Sequence, residues 1–584
     1  MASARSEEKW ARLDWALLAA AFLAAAALRL AFLAGAAGHA FFQFPIMDMA
    51  YHDAWARRIV AGDFWGTEPF FRAPLYPYFL SFLYWLGGGA ITFARVVQAF
   101  VGGVSAALCF LVAREAFGRR VAALAAFALA AAWTAIYFDV ELLLVVLEVP
   151  LGLAFIYFSQ LLARKHKLWL AAAAGAFLGI GVITRPNIIL VGGVIWLAFV
   201  VVPGVRMPRR RLLTALAVLY GVAAIPIGAV AVRNYVISGE RILISWQGGV
   251  NLWIGNNPAS DGMTAIVPGT DAGWSRGHYE MIRRAEDEAG RSLSPAEVDH
   301  YYFRKVLAFA RDEPATFLRL LVRKSYIFTN GYEVANNFDL YYLRAQFTLL
   351  KYDPMSAYVI FPLAFFGLLA NVCSWRRLAP LYIFVIVYSV SVVAFFVNGR
   401  YRMPLVPYLC IFAAAAIFYF WDNVRRWPRR EVIWKGVVLV ALFLYCDTDP
   451  FRIRGRSSYE AQPHYTMGAI YLERGDLAAA EAEYRAALAL PPSIVHADAY
   501  NDLGIIAARR GDNAAAEDYF RRAVAFEPSY SRGWNNLGNL AAEAGDVAAA
   551  RRYFERAIAA DVEDPRAYYF YGKLLAAEGD ASAR

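Results

Sequence analysis

Cysteine is nearly missing, with four in 584 residues. Cys109, Cys373, Cys410 and Cys446 lie far apart in or beside apolar runs, with no C-x-x-C pair, so no disulfide framework is encoded and each reads as a small core residue. Charge is scarce as well. Only 18% of residues are Asp, Glu, Lys or Arg, against 60% hydrophobic and 16% aromatic, with mean hydropathy +0.41. That balance excludes a soluble fold of this length and predicts a polytopic membrane protein. The net charge of +10 points to nucleic acid only until it is divided along the chain. Residues 457–584 hold 13 Lys+Arg against 19 Asp+Glu, leaving +16 elsewhere, in short clusters between apolar runs. Basicity therefore reports membrane topology, and no nucleic-acid partner is expected.

An apolar run from about Leu17 to Phe32, preceded by Arg5, Lys9 and Arg12, predicts a first span with a cytoplasmic amino terminus. A cleaved signal peptide ending near Leu33-Ala34-Gly35-Ala36-Ala37 is the rival, but the run exceeds a usual signal core. Ten later runs, near 90–113, 121–138, 142–163, 168–183, 188–203, 212–232, 356–373, 379–397, 403–421 and 432–446, bring the expectation to about eleven spans. Alternate connections carry Arg114/Arg119/Arg120, Arg164/Lys165/Lys167, Arg206/Arg209/Arg210/Arg211, Arg376/Arg377 and Arg425/Arg426/Arg429/Arg430. All fall on the cytoplasmic side.

The opposite side should be poor in arginine, yet it holds Arg72, Arg185, Arg233, Arg400 and Arg402, together with Asp48, Asp53, Asp139 and Glu141. Ionisable groups at span ends mark a pathway or a site, whereas snorkelling and helix capping account for such residues one at a time. Guanidiniums at Arg72, Arg185, Arg400 and Arg402 suit a phosphate, which they can grip through paired N–H groups. Two outer segments are expected, a loop over 37–88 and a folded subdomain over 233–354. In the second, Asn251–Pro258 reads as a strand ending in a turn, and 275–290 and 295–330 read as helices. Asn256 and Asn257 either line a donor pocket or only form that turn.

Gly-Asp recurs at 475/476, 511/512, 545/546 and 579/580, spacings of 36, 34 and 34 residues. Tyr500, Leu503, Gly504, Ala507, Phe520 and Pro528, echoed by Trp534, Leu537, Gly538 and Phe554, fit the two-helix tetratricopeptide pattern. Residues 457–584 therefore read as about three and a half such repeats, outside the cytoplasm by the span count. They serve either to pack on the outer subdomain or to bind a protein or peptide.

An outer carboxylate, outer arginines and apolar walls fit a transferase whose activated sugar arrives on a polyprenyl phosphate, with its tail left in the membrane lipid. A base deprotonates the acceptor hydroxyl while cations steady the departing phosphate.

The loop with Asp48, Tyr51, His52 and Asp53, then Arg72-Ala73-Pro74-Leu75-Tyr76-Pro77, Thr184-Arg185-Pro186, Asn251–Pro258 and Arg400-Tyr401-Arg402-Met403-Pro404 resemble the GT-C superfamily. The resemblance is to bacterial members related to protein O-mannosyltransferases (family 39-like) and aminoarabinose transferases. It covers roughly residues 14–425 of a 1–447 membrane domain. It implies a mainly α polytopic bundle, a polyprenyl-phosphate-sugar donor, inversion at the anomeric carbon and catalysis by Asp48. Where the family often has an acidic pair, Met49 follows Asp48 here, so Asp139 and Glu141 are the next acidic candidates. Some relatives hold a divalent cation, and Asp48, Asp139 and Glu141 are the carboxylates that would hold one. Asp48 as a helix cap is the rival reading. His52, one helical turn on, shares its face; Tyr51 and Asp53 are candidate neighbours. Glu148 is the one charge read inside a span, which weighs against a flippase. A scaffold presenting repeats is the other rival, and an envelope glycan or lipid is the other acceptor. The expected location is the bacterial plasma membrane.

Overall fold

The structure, a computed structural model, describes residues 10–201, 207–265, 274–335, 340–454, 457–493, 495–561 and 565–577. Two compact units divide the chain, one built from residues 1–340 and 344–451, the other from 341–343 and 452–584. Among the described residues every regular element is a helix.

Each expected apolar run is helical: Arg12–Ala36, Ile91–Phe117, Arg119–Ala131 with Trp133–Val140, Val145–Lys165, Leu168–Thr184, Ile188–Val194 with Trp196–Val201, Arg209–Ser238, Ala357–Ala370, Ala379–Ala394, Val406–Asn423 and Arg429–Asp447. Lipid offers no partner for backbone N–H and C=O groups, so a segment crossing it must bond to itself. By length and apolarity alone five helices can cross, or six if the pair bent by 59° at Ala132 counts as one span. Four shorter apolar helices, Leu168–Thr184, Ile188–Val200, Ala357–Ala370 and Ala379–Ala394, and the helix Arg429–Asp447 coincide with the remaining expected runs. Small residues let these helices approach closely. A side chain at Gly175 or Gly179 would run into the carbonyl oxygens of Leu219 and Ala223 on the facing helix Arg209–Ser238.

The first outer loop carries two helices, Met47–Val60 and Leu75–Leu86. In the second outer segment the strand expected over Asn251–Pro258 is instead the helix Gly248–Gly255. Its aromatic and β-branched residues suggested a strand, but Val250 and Ile254, four apart, bury on one face, and Gly249 lets the backbone meet the chain at Asp299. Two further helices, Trp274–Ala289 and Pro295–Asp312, close over it around Trp246, Met281, Val298 and Tyr302. The helix expected over 295–330 breaks into Pro295–Asp312 and Pro314–Thr329. Pro314 forbids the helical bond at that point and drives Glu313 to φ −127°. Lys324, fully buried, ties the second half down by donating to Asn256 Oδ1 (2.7 Å), Phe395 O (2.8 Å) and Gly255 O (3.2 Å).

Among the described residues of the second unit, six helices from Ser457 to Ala560 form three pairs as the repeat period predicts, and Pro565–Ala577 follows. The Gly-Asp signature has a physical cause. Gly475, Gly511 and Gly545 take φ of +78°, +81° and +78°, which ends one helix. Asp476, Asp512 and Asp546 then accept the N–H of Ala479, Ala515 and Ala549, which starts the next. The fourth Gly-Asp, at 579/580, lies outside the described residues.

Candidate active site

Asp48 stands in the first turn of Met47–Val60, and the helix begins at Ile46 without any side-chain cap. Capping is therefore not its role. Met47, just before it, takes φ +48°, a left-handed conformation that costs a non-glycine residue about 1–2 kcal/mol. The carboxylate is gripped on both oxygens: Arg72 Nη1 donates to Oδ1 at 2.6 Å and Arg400 Nη1 to Oδ2 at 2.6 Å. The side chains of Asp48, Arg72 and Arg400 are 14%, 14% and 9% exposed. Burial works to raise the carboxyl's pKa, but the two guanidiniums outweigh it and hold the group well below the ordinary carboxylate range.

Both arginines are held firmly. Just before Arg72, the Phe70 N–H donates to Asn234 Oδ1 (3.1 Å), Phe70 O accepts from the Trp246 N–H (3.2 Å), and the Arg233 guanidinium lies 3.8 Å from the Phe70 ring centre. Arg233, expected to need an anion, instead donates to the carbonyls of Trp65 and Glu68. Arg400 lies in the short helix Gly399–Arg402, capped by Asn398, whose Oδ1 accepts the Tyr401 N–H at 3.0 Å. The Tyr401 ring joins a third cation to the group, with Arg185 4.0 Å and Arg400 5.2 Å from its centre. Arg185 donates to Glu148 Oε2 (2.9 Å), and Tyr388 Oη donates to Glu148 Oε1 (2.8 Å). Arg72, Arg185 and Arg400 thus gather around one carboxylate and one tyrosine from three distant stretches of chain.

The other expected residues separate. Arg402, 1% exposed, donates to Asn330 O (2.6 Å), Tyr332 O (2.6 Å) and Glu333 Oε2 (2.5 Å), so it clamps the outer segment and its guanidinium is not offered to a phosphate. Asn256 bonds to Lys324, Leu252 and Ala394, and Asn257 to Trp253, Ile254 and Ala259, which is the turn reading and not a pocket lining. Asp53 faces Arg57 and Tyr84. Tyr51 lies with its ring 4.7 Å from the Arg72 guanidinium. His52 is buried against Tyr76. Burial, reinforced by Arg72, lowers its pKa to about 3, so it is neutral.

Asp139 pairs with Arg29 (2.7 Å), and Glu141 has Arg95 3.9 Å away. Neither makes a direct contact with Asp48 among the described residues. Gln98 connects the two regions. It accepts from Tyr76 Oη (2.9 Å) and donates to the backbone oxygens of Asp139 (3.1 Å) and Glu141 (2.6 Å). A divalent cation does not fit this arrangement. Each of the three carboxylates already faces a guanidinium, and no group of three metal-ligating side chains occurs among the described residues. Arg29, Arg95, Gln98 and Asp139 correct the reading that Glu148 stands alone in the spans. Their signal was visible: an arginine inside an apolar run demands a partner. Tyr388 and Tyr401 gave none, being two aromatics among many.

Residues 71–230 match the model of the dolichyl-phosphate-mannose-protein mannosyltransferase family, and 465–531 and 535–583 match tetratricopeptide repeats. The chain is thus similar to that mannosyltransferase family over part of its membrane unit and to tetratricopeptide repeats toward its carboxyl end. The first match takes in Arg72, Asp139, Glu141 and Arg185, and Asp48 lies before it. No curated protein matches the chain by sequence. Among solved structures, the Archaeoglobus fulgidus oligosaccharyltransferase is similar at 15% identity and TM-score 0.42, over 76% of this chain and 56% of that one. ArnT from Cupriavidus metallidurans bound to undecaprenyl phosphate is similar at 18% identity and TM-score 0.33, over 70% and 78%. The chain spans about 56% of the archaeal enzyme's length.

Proposed function

We propose that this protein is an inverting GT-C glycosyltransferase of the bacterial plasma membrane. It takes a sugar from a polyprenyl-phosphate donor and transfers it to a hydroxyl outside the cytoplasm, with Asp48 as the general base. The observation that carries this reading is the grip of Arg72 and Arg400 on the Asp48 carboxylate, with Arg185 beside Arg400 at the Tyr401 ring. An anionic leaving group and a base are needed within one side chain's reach of each other, and this cluster provides for both. The acceptor oxygen attacks the anomeric carbon and its proton passes to Asp48. The carbon–oxygen bond to phosphate breaks on the opposite face, and the electron pair leaves with the phosphate, where Arg185 and Arg400 meet the growing charge. The family whose model matches residues 71–230 is named for a dolichyl-phosphate sugar donor and a protein acceptor, which supports both assignments. The repeats favour a protein acceptor over an envelope glycan or lipid.

The test supplies purified protein with polyprenyl-phosphate sugars and peptide, glycan or lipid acceptors. Asp48→Asn is expected to lower the transfer rate by roughly 10²–10⁴-fold. Transfer by this variant at the wild-type rate removes the base. A second reading, flipping of a lipid-linked sugar, draws on the buried Arg29–Asp139 pair inside the bundle. Vesicles separate the two readings, because a flippase moves the carrier across the bilayer with no acceptor present.

A further inference from the structure

Asp48 is an anion seated where a second anion has to bind. It occupies a helix N-terminus and takes one 2.6 Å ion pair on each oxygen, from Arg72 and from Arg400, and Arg400 is one of the two guanidiniums that the proposed reaction assigns to the donor phosphate. A carboxylate with a charge-assisted bond on each oxygen is a poor base. The same grip leaves Arg400 Nε buried without a hydrogen-bond partner. Asp48 and Glu148 against Arg72, Arg185 and Arg400 leave one positive charge, which a single phosphodiester neutralises.

Resting on the glycosyltransferase reading, we propose that Asp48 is an internal stand-in for the donor phosphate. The incoming phosphodiester takes Arg400 from it, and only then is the carboxylate, left with Arg72, free to act as base. Arg400 can turn because its second grip, on Tyr401 Oη, is long at 3.4 Å, while Tyr401 keeps Arg185 beside it. Donor must then bind before the acceptor is activated, so no hydroxyl is deprotonated at an empty site. After transfer the phosphate carries one more negative charge and Asp48 carries the acceptor's proton. Once that proton passes to water, the carboxylate competes again for Arg400 and helps expel the polyprenyl phosphate.

The test measures binding of undecaprenyl phosphate to the full-length protein in detergent micelles, with undecaprenol and inorganic phosphate as separate arms. If the carboxylate competes with the ligand, Asp48→Asn and Asp48→Ser bind undecaprenyl phosphate on the order of tenfold tighter than wild type while losing transfer. Equal or weaker binding by the variants overturns the stand-in and leaves the glycosyltransferase reading in place. Failure of the wild type to prefer undecaprenyl phosphate over undecaprenol overturns the glycosyltransferase reading itself. Inorganic phosphate binding as tightly as the lipid shows that the headgroup alone is recognised, which also supports the stand-in if the variants tighten it. Should both variants fail to fold, wild-type kinetics decide. Release of Asp48 places the acid limb of kcat at higher pH than that of kcat/KM, and coincident limbs refute it.

Discussion

Gly102 sits on the helix Ile91–Phe117 opposite the buried Arg29–Asp139 pair, and its missing side chain makes that pair possible. A Cβ placed there would lie 2.5 Å from Arg29 Nε and 2.5 Å from Asp139 Oδ2. Neither partner has room to retreat. Arg29 is 0% and Asp139 2% exposed, and Arg29 Nη1 is also bound to Ala25 O (3.1 Å) and Ala130 O (2.9 Å). Gly102→Ala is therefore expected to part the two charges. Breaking a buried pair costs about 3–5 kcal/mol, because it strands a charge away from water. The better helix propensity of alanine returns only about 1 kcal/mol. A net loss of about 2–4 kcal/mol should appear when the protein is unfolded by SDS from mixed micelles. Replacing both charges by apolar residues of similar size, Arg29→Met with Asp139→Leu, should be near neutral by the same reasoning. In that background Gly102→Ala should cost about 1 kcal/mol or less, a coupling that the double-mutant cycle reads directly. An equal cost in both backgrounds refutes this account and assigns Gly102 to helix–helix spacing alone.

Asp299 accepts the Gly249 N–H, and burial raises its pKa to about 6. The folded outer segment then binds more protons than the unfolded chain between about pH 4 and 6, so stability falls as pH rises through that window. Asp299→Asn should add about 1–2 kcal/mol above pH 6, after discounting for partial exposure, and nothing near pH 4. Hydrogen exchange in Gly248–Gly255 reads this. Arg185→Lys gives up the planar contact with Tyr401 and should raise the donor KM about tenfold. Arg402→Lys, loosening the grip on Glu333, should instead lower the thermal midpoint with little change in donor KM. Phe520, 2% exposed beneath Gly504, should cost about 3–5 kcal/mol on truncation to alanine. Limited proteolysis should then cut within 457–561 while the membrane unit stays intact.

Much of the fold is local in origin and so could be read along the chain. Membrane helices follow from apolar length, because lipid leaves the backbone no other way to satisfy itself. The repeats follow from a 34-residue period in which glycine ends one helix and aspartate begins the next. Where a segment's state depended on a distant partner, the sequence misled. Asn251–Pro258 has the residue types of a strand, yet its first five residues are helical, in a helix whose Gly249 and Gly255 let other parts of the chain press against its backbone. Along the chain, Arg72, Arg185, Arg400 and Arg402 are four similar outer arginines, and what separates them is which carboxylate or carbonyl the fold brings within 3 Å. Three converge near Asp48 and Tyr401, and the fourth closes on Glu333. Composition and periodicity mark which segments are apolar helices, because solvation acts on each residue by itself. Pairing of charges between residues as far apart as 48 and 400 is settled only by tertiary structure, because a guanidinium recognises whatever oxygen is nearest, and nearness across that much chain is made by the fold.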